Sequence, residues 1–308
     1  MCAGSGSMAH IGKVAYVSES LPYTFGGFMA VVRTKSQLLP RFLFHLLTGR
    51  KFLQYLEGAL ATSTINNLNA RLLNAFRVPV PPLGVQREIV RILDKFTELE
   101  AELEAELEAR QKQYEYYRTE LLAPASQATT VLSLGDVFEM RAGSHVRAAN
   151  ISNIATEETP YPCFGGNGIR GYVSQYSHNE AVLFIGRQGA LCGNVHRSFG
   201  KAYATEHAVV VTPKIEVDMA WAFHLLTHMN LNQYKTKSAQ PGLAVGKLKN
   251  LRIALPPLQE QQRVGDILDK FDTLVSGVSS GLPAEISARR KQYEYYRDKL
   301  LTFKELRA

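Results

Sequence analysis

The chain has 308 residues, of which 45% are hydrophobic and 20% charged, and its formal net charge is +7. That length suits two domains with ordinary buried cores. No apolar run reaches the eighteen or so residues that cross a bilayer, and three cysteines outside any CxxC spacing, with eight scattered histidines, exclude a disulfide framework and a recognisable metal motif.

The charge is unevenly spread. Residues 1–80 carry +6, 81–122 carry −4, 123–258 carry +4 and 259–308 carry +1. Two basic blocks separated by an acidic one point to a polyanionic partner.

In chain order, the opening "MCAGSGSMAH" lacks the regions of a secretory signal. With its Gly/Ser content and second methionine, Met8, it reads as an appended or improvised start. A first globular block, residues 1–82, contains the helical stretch "PRFLFHLLTGRKFLQYL" and ends at Pro81-Pro82, which cannot lie inside a helix. Residues 83–123 form a first helical region: Ile89, Ile92, Phe96, Leu99 and Leu103 are spaced 3, 4, 3, 4, the mark of a coiled-coil seam. A helix over 86–122 would run about 55 Å at roughly 1.5 Å per residue. A second block, 131–258, reads as mixed α/β. Its runs "EAVLFIGRQG" and "HAVVVTPK" are strands, and "MAWAFHLLTHMNLNQY" (219–234) is one amphipathic helix with Trp221, Leu225 and Met229 on its apolar face. Residues 259–303 form a second helical region with the seam Val264, Ile267, Phe271, Leu274 and Val278, interrupted near Gly281 and Pro283.

These parts repeat. "KQYEYYR" occurs at 112–118 and again at 291–297, and "VPVPPLGVQREIVRILDKF" (78–96) matches "IALPPLQEQQRVGDILDKF" (253–271). "HLLT" recurs at 45–48 and 224–227, "AVVRTK" (30–35) stands where "VVVTPK" (209–214) stands, and Gly12-Lys13-Val14 corresponds to Gly193-Asn194-Val195. The chain is therefore two duplicated units, the first lacking a counterpart of 131–192. Tyr114 and Tyr117, like Tyr293 and Tyr296, fall on one helical face. The expected fold is α/β (α+β) blocks joined by two long helices that can pack as a coiled coil; an antiparallel coiled coil would place the blocks at opposite ends. Its interface would be built from Ile92, Phe96, Leu99, Leu103, Tyr114, Tyr117, Ile267, Phe271, Leu274, Tyr293 and Tyr296. Such a coil would present duplicated outward surfaces to two copies of one partner.

No catalytic motif is visible. "GNGIRG" (166–171) satisfies GxGxxG, but "YVSQY" follows it where a dinucleotide site needs a helix. "GLAVGK" (242–247) is one residue short of a phosphate-binding loop and is followed by Leu248 where Ser or Thr is required. What remains are glycine-rich loops carrying Asn167, Arg170, Arg187, Gln188, Arg197, Lys201, Lys235, Lys237, Lys247 and Lys249. Arg, Asn and Gln contact base edges, whereas Lys holds phosphates. These residues are the expected DNA-binding set.

The tandem order of a globular block, "IALPPLQEQQR", "ILDKF" and "RKQYEYYR" followed by Leu-Leu resembles the specificity (S) subunit of type I restriction–modification enzymes, over about residues 11–303. The resemblance implies a non-catalytic, cytoplasmic subunit of a bacterium or archaeon. Each target-recognition domain would read half of a bipartite site on double-stranded DNA. The helices would set the half-site spacing and dock two modification (M) subunits, with restriction (R) subunits joining indirectly. It also implies no cofactor in this chain; S-adenosylmethionine, ATP and Mg belong to the partner subunits. The sequence departs from this pattern at Gly84-Val85, where the second copy has Gln259-Glu260, and in its truncated first domain. A truncated domain would read no normal half-site alone, so self-association to complete it is a further expectation. The alternative is a coiled-coil interaction scaffold, or a silent or partial cassette, whose first domain does not bind DNA selectively.

Overall fold

In the computed structural model, residues 1–5, 10–60, 68–123, 130–237, 241–277 and 279–304 are described. Met8 and Val278 lie outside them. The first elements are α1 (Pro40–Leu47), α2 (Arg50–Leu60), α3 (Ala70–Ala75) and the long α4 (Leu83–Leu122). Then come β1 (Thr130–Ser133), α5 (Leu134–Val137), β2 (Phe138–Ala142), β3 (Tyr161–Gly165), β4 (Gly168–Val173), β5 (His178–Gly186), β6 (Val195–Ala204) and β7 (Ala208–Pro213). The chain closes with α6 (Met219–His228), α7 (Val245–Lys249), β8 (Arg252–Leu255), α8 (Leu258–Ser276) and α9 (Leu282–Leu300). It divides into two compact units, Met1–Glu108 with Gly277–Ala308, and Ala109–Ser276.

The second unit is built on a six-stranded sheet of order β2-β7-β5-β6-β3-β4, antiparallel except where β3 runs parallel to β6. The two runs read as strands are its centre: β5 pairs with both β6 and β7, and Val182–Ile185 and Val209–Val211 are buried on both faces. Gly166-Asn167 of "GNGIRG" form the β3–β4 turn and Gly168, at φ 82°, opens β4, so strand follows the turn where a dinucleotide fold would place a helix. Phe164 stacks on Phe184 at 4.3 Å beneath it.

The expected helix over 219–234 is shorter than its hydrophobic pattern. It begins where Asp218 accepts a hydrogen bond from Trp221 N at 2.8 Å and stops after His228. Asn230 takes φ 46°, which turns the chain into the 3₁₀ segment Leu231–Tyr234. Apolar periodicity continued past a backbone break. α8 crosses the start of α6 closely: a Cβ on Gly265 would lie 2.7 Å from Asp218 Oδ1 and 2.9 Å from Trp221 N. In the first copy the corresponding positions hold Val90 and the non-capping Leu39, so the close crossing and the cap change together.

In the first unit the corresponding stretch is two helices, α1 and α2, parted at Thr48-Gly49. Phe52, Leu56, Leu60 and Leu68 form its core with Met1, Ala3 and Ile11. The opening residues, expected to be an appended start, are thus part of the fold. Their hydrogen bonds match those at the end of β5. Cys2 N donates to Lys13 O at 2.8 Å and Gly12 N to Cys2 O at 2.9 Å, as Gly186 N does to Asn194 O and Gly193 N to Gly186 O, at 2.9 and 2.7 Å. Ala3 N donates to Phe28 O and Leu68 N to Ala3 O, as Arg187 N does to His207 O and Leu243 N to Arg187 O. Met1–Gly4 therefore stand in the places of Ile185–Gln188. This corrects the expectation that the first unit has no counterpart to any of 131–192: the place of the Arg187-Gln188 pair is filled, by Ala3 and Gly4.

The helical seam holds in reciprocal form. In the first unit, Phe96 of α4 stacks on Tyr296 of α9 at 5.6 Å and lies 6.2 Å from Tyr293. In the second, Phe271 of α8 lies 5.5 Å from Tyr117 and 6.2 Å from Tyr114, both of α4. The tyrosines of each heptad pack on the phenylalanine of the other copy rather than on each other. Further along, Arg290 pairs with Glu100 at 2.5 Å and with Glu104, while Ile89 and Leu93 cluster with Leu300 and Leu301, so α4 and α9 run antiparallel. Ile92, Leu99, Leu103, Ile267 and Leu274 are half-buried, whereas Leu93 and Leu268, one residue on from Ile92 and Ile267, are fully buried. The expected interruption falls between α8 and α9, where Gly281 caps α9 at φ 84° and Pro283 lies in its first turn.

Candidate nucleic-acid interface

One duplicated polar cluster fastens each block to its helices. In the second unit the buried His224 contacts Asp269 Oδ1 through Nε2 at 2.8 Å and the Tyr114 hydroxyl through Nδ1 at 3.2 Å. In the first, buried His45 contacts Asp94 Oδ1 at 2.8 Å and Tyr293 at 3.3 Å in the same way. A carboxylate only accepts, so Nε2 carries the proton, and in the neutral ring Nδ1 accepts from the tyrosine. Burial lowers both histidine pKa values and outweighs the neighbouring aspartates. Burial, reinforced by Asp272, pushes the Tyr114 hydroxyl up to about 12, so it stays a donor.

Each aspartate also receives an arginine, from non-equivalent places. Arg41 of α1 donates to Asp94 at 2.8 Å and lies over Phe44, whereas Arg197 of β6 donates to Asp269 at 2.6 Å and lies over Phe223. Arg197, expected among the DNA contacts, is thereby committed to the clamp. Two buried glutamines complete the joint. Gln261 accepts from Asp218 N and donates to Pro256 O; Gln86 accepts from Leu39 N and donates to Pro81 O. The Gln of "QREIV" and the first Gln of "QQRVG" thus tie each Pro-Pro hinge to the helix that follows it.

The remaining candidates separate by place. Four of them meet at one end of the sheet: Asn167 on the β3–β4 turn, Arg170 in the start of β4, and Arg187 and Gln188 just after β5. Gly186 and Gly166 allow the approach: a Cβ on Gly186 would lie 2.0 Å from Gly166 O, and one on Gly166 would lie 2.5 Å from Gln188 O. Asn167 accepts from Asn194 Nδ2 at 2.8 Å, and Gln188 Oε1 lies 2.6 Å from His207 Nδ1. Arg187 Nη1 reaches Glu206 O at 3.4 Å, and Arg170 lines, with Asn167 and His207, an open cleft of about 290 Å³. Gln188 bridges Gly242, whose carbonyl accepts from Thr236 N, so the loop carrying Lys235 and Lys237 abuts the same edge. Lys235 donates to Asn232 at 2.8 Å.

Three residues that the sequence reading missed belong here: His145, Glu206 and His207. Glu206 Oε1 lies 3.0 Å from His145 Nδ1 and 3.4 Å from His207 Nε2. Burial pushes the Glu206 carboxyl up, but the His145 hydrogen bond and both imidazoles hold it below the usual range. His145 follows β2 and the Glu206-His207 pair turns between β6 and β7, so neither carries a sequence signal; only the sheet topology brings them together. The other lysines lie elsewhere. Lys201 lies over Tyr176 at 4.8 Å, Lys247 and Lys249 sit on α7, and Lys249 packs against Gly135.

Among the described residues no His/Cys/Asp/Glu group could hold a metal ion, and no helix is long and apolar enough to cross a membrane.

This architecture and chain match known proteins. The family described as "Type I restriction modification DNA specificity domain" matches residues 2–109 and 128–288. The chain is 55% identical over 207 residues to the type I restriction enzyme EcoprrI specificity subunit of Escherichia coli, covering 65% of this chain and 52% of that protein. It is 32% identical over 278 residues to the EcoR124I/EcoR124II specificity subunit of the same species, covering 81% of this chain and 68% of that one. The chain thus spans about half the length of the first of these relatives and two thirds of the second. In fold it is similar to the S subunit of a type I restriction–modification system from M. genitalium, with a TM-score of 0.61 at 14% identity over 87% of this chain and 74% of that one. The HsdS subunit of Thermoanaerobacter tengcongensis gives 0.51 at 17% identity over 85% and 70%. With both repeats matched, the chain belongs to the family of type I restriction–modification DNA specificity subunits.

Proposed function

We propose that this chain is the non-catalytic, sequence-reading component of a type I restriction–modification enzyme. The loop end of its second unit reads one half-site of double-stranded DNA. The observation that carries the reading is the convergence of Asn167, Arg170, Arg187 and Gln188 on one edge, three of them with side chains already oriented by neighbours. Arg and Gln make the bidentate contacts that distinguish base pairs in the major groove. Lys235 and Lys237 beside them suit phosphate contacts.

Modification subunits dock on the helices. Supporting this are two duplicated tyrosines outside the seam: Tyr116 and Tyr295 are 62% and 61% exposed, each edge-on to the seam tyrosine beside it. Two like surfaces suit two like partners. Those subunits supply S-adenosylmethionine and the methyl transfer, and restriction subunits supply ATP and Mg chemistry, in the cytoplasm of a bacterium or archaeon. The scaffold reading applies to the first unit alone, where Ala3 and Gly4 stand in place of Arg187 and Gln188.

A DNA shift assay of the chain with its modification subunit tests the proposal. Sequence-selective binding that weakens steeply with salt is expected, because phosphate contacts release counterions. Binding indifferent to both sequence and salt would refute it.

A further inference from the structure

A second polar cleft continues the loop edge of the second unit across Glu206. His207 lines the cleft that holds Asn167 and Arg170. His145, on the other side of Glu206, lines an open cleft of about 380 Å³ with Arg147, Asn150, Gln175 and Tyr203. One carboxylate oxygen joins the two, 3.0 Å from His145 Nδ1 and 3.4 Å from His207 Nε2. The clefts therefore adjoin.

Main-chain bonds fix the walls of the second cleft. Gly143 N donates to Ala208 O at 3.0 Å and Ser144 N to Ala204 O at 2.9 Å. A Cβ on Gly143 would lie 2.3 Å from Ala204 O, so only glycine lets the loop start this close to β6. The Tyr203 hydroxyl then donates to His145 O at 3.3 Å. At its far end the loop is bridged to β4, Ser152 N donating to Tyr172 O at 2.9 Å and Tyr172 N to Ser152 O at 2.8 Å. Gln175 lies in the β4–β5 connection, which Ser177 N pins to Ala202 O at 2.9 Å. The fold makes no such use of the polar side chains. Arg147, Asn150 and Gln175 are exposed, and among the described residues none pairs with the guanidinium or with either amide. Arg41 and Arg197, by contrast, are each held by an aspartate.

We propose that this cleft is a second base-reading subsite, in which Arg147, Asn150 and Gln175 contact base edges of the half-site at positions other than those met by Arg187 and Gln188. It rests on the DNA-reading function proposed above. Residue type decides between bases and phosphates. A guanidinium and two amides make the paired hydrogen bonds that suit guanine and adenine edges, and the residues lining the cleft include no lysine. A loop tied down at both ends also loses little freedom when it binds.

The test is selection of bound duplexes from a randomised pool by the full chain with its modification subunit, read by sequencing. Three variants are compared with the unchanged chain: Arg147→Ala, Asn150→Ala and Gln175→Ala together; Arg187→Ala with Gln188→Ala; and Arg147→Lys alone. The triple variant should lose discrimination roughly tenfold or more at base positions that the Arg187/Gln188 variant still selects. Arg147→Lys keeps the charge without the planar fork and should relax the preference at one of those positions. The proposal is overturned if the triple variant selects the unchanged motif, if it weakens every sequence alike, or if Arg147→Lys keeps the full preference; the last two outcomes mark phosphate contacts only. A motif altered by the Arg187/Gln188 variant and untouched by the cleft variants removes this subsite alone. A pool from which the unchanged chain selects nothing refutes the DNA-reading function itself, and the subsite with it.

Discussion

His45 and His224 sit where a block meets its helices, and their protonation is linked to folding. Both have pKa values lowered from 6.5 in the folded chain by burial. The unfolded chain therefore binds more protons below that value. Stability is full above about pH 6.5 and falls as pH drops toward the folded pKa values. Thermal melts at pH 7.5 and 5.5 should show the lower Tm in acid, and substituting both histidines by glutamine should flatten that slope. Asp269→Ala should cost about 1–3 kcal/mol, because His224 and Arg197 both lose their acceptor; urea unfolding measures it. At the edge proposed to read DNA, Arg187→Ala should relax base preference by about 1–3 kcal/mol, whereas Lys235→Ala should weaken all sequences alike. Competition shift assays separate the two outcomes. An arginine is not readable as clamp or reader from sequence: Arg187 and Arg197 both follow glycine-bearing stretches, and only the fold puts Asp269 beside one of them.

At the scale of elements, the repeated heptad has a physical account. Its first tyrosine bonds the buried histidine of a block, its last packs on the other copy's phenylalanine, and its arginine folds back over the first tyrosine, as Arg118 does over Tyr114 at 5.2 Å and Arg297 over Tyr293 at 5.1 Å. Phe271→Ala removes two ring contacts at once and should destabilise the second unit by about 2–4 kcal/mol, with Phe96→Ala acting alike on the first. Urea midpoints of the two variants check the equivalence. The strands β5 and β7, the long α4 and the break at Gly281 were legible because period, β-branching and Pro/Gly punctuation are local signals. The end of α6 was not, since an asparagine in a left-handed turn interrupts a pattern that stays apolar through Leu231. The role of Met1–Gly4 was equally hidden, because a small-residue stretch gains its structure from main-chain partners at Lys13, Phe28 and Ala30.

For the whole molecule, duplication gives two hinges, two clamps and two outward tyrosines, but among the described residues one edge carrying Arg and Gln together. On the proposed function, that is one reader and two docking surfaces. Exchanging Tyr116 and Tyr295 for aspartate places charge in both proposed docking surfaces while leaving the buried seam intact; light scattering with the modification subunit should show loss of the complex with the melting curve unchanged. The central claim, that the second unit reads DNA through its loop edge, is tested most directly by sequencing methylated DNA from cells carrying this chain and its modification partner, with and without Arg187→Ala and Gln188→Ala together. The account predicts that the double variant loses or relaxes one half of the methylated motif; an unchanged motif, methylated to the same extent, would contradict it.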